Sequence, residues 1–83
     1  MPLYFFDIAD HQTQIDDEGT ELTGDAEARV EAIVYAGSLL RDDPSILRSD
    51  QGLRVDVYSE TRDPILSVHV SARDRSSDEA AID

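Results

Sequence analysis

The sequence predicts an α+β domain in two layers, ordered β-β-α-β-β, with one helix packed on a four-stranded, mainly antiparallel sheet. Three observations predict it. Leu3-Tyr4-Phe5-Phe6-Asp7-Ile8 is a short, aromatic-rich run bounded by polar residues, the composition of a strand. Residues 25–41 repeat apolar side chains at helical spacing. Leu53-Arg54-Val55-Asp56-Val57-Tyr58 and Ile65-Leu66-Ser67-Val68-His69-Val70-Ser71 alternate apolar and polar residues, and a short polar link makes them a hairpin.

The first strand is apolar on both faces, with Leu3 and Phe5 on one and Tyr4, Phe6 and Ile8 on the other. Such a strand is central in its sheet or covered by a partner. Asp10-His11-Gln12 is read as a turn and Thr13-Gln14-Ile15-Asp16 as a weak edge strand. Asp17-Glu18-Gly19 ends that strand, because Gly19 is free to take a positive φ. Thr23 or Asp25 supplies a helix cap. At about 100° per residue, Ala26, Val30, Ile33, Ala36, Gly37 and Leu40 share one broad face, widened by Ala28, Ala32, Tyr35 and Leu39. That stripe is expected to pack on the sheet. Asp42 and Asp43 oppose the negative end of the helix dipole, so the helix stops near Arg41. Pro44 then opens a further helical turn that brings Ile46 or Leu47 to the core edge. Both strand orders 2-1-3-4 and 2-1-4-3 remain open; the first keeps every neighbour antiparallel. Residues 1–72 form the single domain and residues 73–83, polar and without periodicity, a disordered acidic tail.

Charge and composition narrow the function classes. Of 83 residues, 19 are acidic and seven basic, giving a net charge of -12; all seven bases are Arg. Residues 1–22 carry six acids and no base. Nucleic acids and anionic membranes bind through Lys and Arg, so this balance repels both. It would attract a basic protein or a cation. With no Cys there is no disulfide framework, thiolate metal site or thiol nucleophile. No apolar run approaches the roughly 20 residues of a membrane span, and the apolar start lacks the basic flank of a signal peptide. A cytoplasmic location is the expectation.

The opening Met1-Pro2-Leu3-Tyr4-Phe5-Phe6-Asp7, the segment Asp17-Glu18-Gly19-Thr20-Glu21-Leu22 and Ala28-Arg29-Val30-Glu31-Ala32 stand in a distinctive order. With the final hairpin they resemble a family of small, uncharacterised single-domain proteins from alphaproteobacteria, over about residues 2–72. The resemblance implies a domain of unknown function with no assigned active site. It also implies Gly in both hairpin turns, where this chain has Asp10-His11-Gln12 and Arg62-Asp63-Pro64.

The residues offer little catalytic chemistry. Aligned as a calcium loop on Gly19, the first ligand would be Gln14 and the last Asp25, which fails at the first and shortens the last. His11 lies in a turn and His69 on an outward strand position, with no spacing that joins them at a metal. No nucleophile elbow is present, and without Lys there is no P-loop lysine. No enzyme activity, cofactor or metal is expected. Arg29 is placed near the middle of the helix's apolar face, where it needs a carboxylate. Asp7, Asp16, Asp17 and Glu18 are candidates, with a structural ion pair among Arg29, Asp7 and Asp17 the favoured form. Leu3, Phe5 and Tyr58 share the sheet face away from the helix and form a candidate self-association surface. The expected function is a small acidic interaction or regulatory module, a homodimer. The alternative is an acidic nucleic-acid mimic that inhibits a basic DNA- or RNA-binding protein.

Overall fold

A computed structural model describes residues 1–48, 52–73 and Arg75. Most of the expected tail, like residues 49–51, lies outside the described residues. Seven elements follow in order: β1 (Leu3–Ala9), β2 (Thr13–Gln14), β3 (Thr20–Glu21), α1 (Asp25–Asp42), a 3-10 turn (Pro44–Arg48), β4 (Leu53–Tyr58) and β5 (Pro64–Val70). The sheet order is β2-β1-β4-β5, and every pairing is antiparallel. This is the 2-1-3-4 arrangement, with α1 on one face and an α+β fold as the sequence predicts.

The outer edge of β1 differs from the expected single strand. Two two-residue pieces cover it. Gln14 pairs Ile8 at one end, and Thr20 pairs Tyr4 at the other. Between them the chain bulges away through Asp16, so the edge strand expected over Thr13–Asp16 is cut to Thr13–Gln14, and a fifth strand forms at Thr20–Glu21.

The face of the sheet under α1 holds Tyr4, Ile8, Leu53, Val55 and Val57, all buried. Phe6, Leu66, Val68 and Val70 pack around them. Burying a valine such as Val55 or Val57, each fully inaccessible, contributes about 1.5–3 kcal/mol. The helix meets these large side chains with small ones: Ala28, Ala32 and Ala36 are its buried residues. Leu39, Leu40, Ile46 and Leu47 close the end of the core. Gly52 turns the chain into β4 with φ 72°, and a Cβ there would come within 2.4 Å of the Val70 carbonyl oxygen. No other residue type fits that approach without moving backbone.

The helix is rotated from the expected orientation. Val30 (56 % exposed), Ile33 (50 %) and Val34 (57 %) face outward, and Ala26 and Gly37 are exposed with them. The helix has two apolar arcs, and the alanine arc faces the sheet. Alanine lets the backbone of α1 approach a sheet surface already filled by aromatic and branched side chains. The helix has no side-chain cap at Gly24. Instead Thr23 donates from its backbone N–H and its hydroxyl to Glu27 Oε1, at 2.7 and 2.9 Å.

Candidate functional site

Two surfaces remain once the core is closed: the sheet face away from α1, and the outer side of α1. On the open sheet face, neighbouring strands set Phe5 opposite Tyr58, Asp7 opposite Asp56, and Ala9 opposite Arg54. Asp56 is in turn opposite Ser67, and Arg54 opposite His69. Two aspartates side by side repel. Each is matched by its own arginine. Arg54 Nε donates to both oxygens of Asp56 at 2.9 Å, and Ser67 adds its hydroxyl at 2.6 Å. Arg62 Nη1 donates to Asp7 Oδ2 at 2.8 Å.

The Asp7 cluster ties β1 to Asp16 and to the turn between β4 and β5. Asp7 is buried. Its Oδ1 accepts the Asp16 N–H at 2.9 Å, while Arg62 Nη2 donates to the Asp16 carbonyl. The Asp16 side chain fills the gap between β2 and β3, where Oδ2 accepts the Phe6 N–H at 3.1 Å. Its Oδ1 accepts from the N–H groups of Glu18 and Gly19. Asp16 thus supplies the acceptor that an unbroken edge strand would have offered to β1. Partial burial opposes its charge. The N–H donors of Gly19, Phe6 and Glu18 and the nearby Arg62 outweigh that, and hold the carboxyl below its ordinary range.

The guanidinium of Arg62 also covers the aromatic pair. It stands 4.6 Å from the centroid of Phe5 and 5.1 Å from that of Tyr58, a cation–π arrangement over two rings. Arg62 has φ 66°, a left-handed conformation that costs a non-glycine residue about 1–3 kcal/mol. Here the side chain's contacts with Asp7, Phe5 and Tyr58 hold it.

These contacts correct two expectations. Arg29 is exposed on α1 and makes no ion pair among the described residues. Asp17 is exposed as well. The buried carboxylate is Asp7, as placed, but its partner comes from the β4–β5 turn, because the helix turns its alanine arc inward and carries Arg29 aside. Leu3, Phe5 and Tyr58 are half-buried. Arg62 lies over the two rings, and Leu3 packs against Gly19, where an added Cβ would meet its Cγ at 2.8 Å. The aromatic side of the sheet is therefore largely covered from within the chain.

The outer side of α1 has no such cover among the described residues. Among the described residues, the large apolar side chains exposed on regular elements, Val30, Ile33, Val34 and Tyr35, all lie on α1. Val34 also enters a cleft of about 450 Å³ between α1 and the edge of β1, lined by Phe6, Ile8, Asp16, Glu31 and Tyr35. Burial and then the charge of Asp16 push the Tyr35 hydroxyl above its ordinary pKa. His11 lies 3.6 Å from Asp10, and His69 is exposed across from Arg54. No group of three or more His, Cys, Asp or Glu able to hold a metal occurs among the described residues. No helix among them is long and apolar enough to cross a membrane.

Fold and surfaces together define a small two-layer α+β domain with one internally neutralised face and one uncovered helix. The family profile of the domain of unknown function DUF6894 matches residues 3–71, and the chain belongs to that family. No curated protein and no solved structure matches the chain.

Proposed function

We propose that the chain is a non-enzymatic interaction module whose working surface is the outer side of α1. The observation that carries this reading is the exposure of Val30, Ile33 and Val34 on a regular helix in a chain of net charge -12. A helix apolar on both sides is a buried helix, so its outer side calls for cover. The two carboxylates best placed for chemistry, Asp7 and Asp16, are engaged by backbone N–H groups and Arg62, which supports a structural role for them. A nucleic-acid mimic would present an unbroken row of carboxylates. Arg54 and Arg62 interrupt the acids of the open sheet face, which weighs toward the interaction module.

The test is photo-crosslinking in the cells that make the protein. A photoreactive phenylalanine analogue is placed at position 33 on α1 or at position 69 on the open sheet face. Crosslinked species from position 33 and few from position 69 are expected. Crosslinks confined to position 69, or absent from position 33, would overturn the reading.

A further inference from the structure

We infer that the outer side of α1 pairs with α1 of a second copy, antiparallel, about an axis at Val34. The inference rests on the reading above and supplies its partner. Ala26, Val30, Ile33 and Gly37 are all exposed, and their spacing of four, three and four residues is that of a coiled-coil seam. Gly37 has nothing within 4 Å of where its Cβ would be. A mid-helix glycine costs helix stability, and here it leaves a hollow in the seam. In an antiparallel pair Ile33 of one copy faces that hollow in the other.

Charge selects the direction. Glu27, Val34 and Arg41 are spaced by seven residues along one flank of the seam. Val34 lies midway, so an antiparallel pair centred on it brings Glu27 of each copy to Arg41 of the other. A parallel pair would put these positions on opposite flanks of the seam, where Glu27 and Arg41 could not meet. The Arg41 side chain is 81 % exposed, and its 3.8 Å pair with the similarly exposed Asp42 is a weak surface contact that leaves it able to turn toward Glu27 of the second copy. Glu27 is exposed, and its bonds to Thr23 use only Oε1. A seam of this kind also explains the two apolar arcs of α1, one for the sheet and one for the second helix. The pairing adds core to a domain matched over residues 3–71, a size at which one small core is marginal.

The chain has no Cys, so single-cysteine variants report proximity directly with a short bis-maleimide. Val34→Cys is expected to give a cross-linked dimer and Ala26→Cys almost none. A mixture of Glu27→Cys and Arg41→Cys is expected to cross-link to each other more than to themselves. In sedimentation, Arg41→Glu should weaken dimerisation about tenfold, because two attractive pairs become two repulsive ones. Adding Glu27→Arg to that variant should restore it. Because Glu27 also bonds Thr23, the far-ultraviolet spectrum of each variant is compared with the parent. Equal cross-linking at positions 26 and 34, or a parent that sediments as a monomer at concentrations on the order of 100 µM, would overturn the inference. A monomeric parent that still cross-links another protein from position 33 would overturn only the second copy and leave the interaction reading standing.

Discussion

Among the described residues, the open face of the sheet and the outer side of α1 both lack a second layer, yet they are built on opposite rules. On the sheet, Asp7 has Arg62, Asp56 has Arg54, and the Phe5 and Tyr58 rings lie under a guanidinium. On the helix, Val30, Ile33 and Val34 stand out from the backbone with half or more of their surface exposed. A surface whose charges are paired and whose rings are covered is complete in one chain. A surface that leaves branched aliphatic residues in water is complete only with a partner. In this small acidic domain, exposed apolar area rather than aromatic content therefore singles out the face proposed for contact.

The largest effect expected from breaking this contrast is on the sheet. Asp7→Ala leaves the Arg62 guanidinium without its carboxylate and removes the acceptor for the Asp16 N–H. It should lower stability by about 3 kcal/mol in chemical denaturation. Replacing Arg62 separates side chain from backbone. Arg62→Ala keeps the strained turn and loses the contacts, a cost of about 1–2 kcal/mol. Arg62→Gly loses the same contacts but relaxes φ, so it should be the milder of the two; equal losses would show that the turn is unstrained.

Asp16→Asn tests the stand-in for the missing strand. Its carboxyl is held below the ordinary range in the fold, so its ionised form favours folding at neutral pH. That contribution is lost as pH falls through the lowered folded pKa and the folded carboxyl is protonated. The variant should be less stable than the parent at pH 7 by about 1–2 kcal/mol, with the gap closing in acid. A gap that persists unchanged at low pH would show that charge plays no part. The smallest effect belongs to Arg29→Ala, expected within about 0.5 kcal/mol of the parent, since the side chain is exposed.

Much of the fold was legible because strands and hairpins announce themselves locally. The alternation of Leu53 to Tyr58 and of Leu66 to Val70 fixed both register faces, and the apolar pair of faces on Leu3–Ile8 marked a central strand. The helix was legible in extent but not in rotation. Val30, Ile33 and Val34 carry more apolar area than Ala28, Ala32 and Ala36, so hydrophobicity alone points the wrong arc inward, whereas packing against a crowded sheet favours the alanines. The rotation also carried Arg29 away from the core. Arg62 was hidden for a different reason. It reaches Asp7 across 55 residues of sequence, and its place in a turn suggests only a solvated charge. The shortening of the edge strand was equally invisible, since Asp16 replaces a ladder partner through its side chain, which no periodicity records.

The most direct test of the account is sedimentation equilibrium of the parent and Ile33→Glu, with far-ultraviolet spectra and denaturation of both. A parent dimer and a folded Ile33→Glu monomer, with a spectrum like the parent's, is the predicted result. A dimer that survives Ile33→Glu, or a variant that unfolds because Ile33 belongs to the core, would contradict the assignment of the helix's outer side as the contact face.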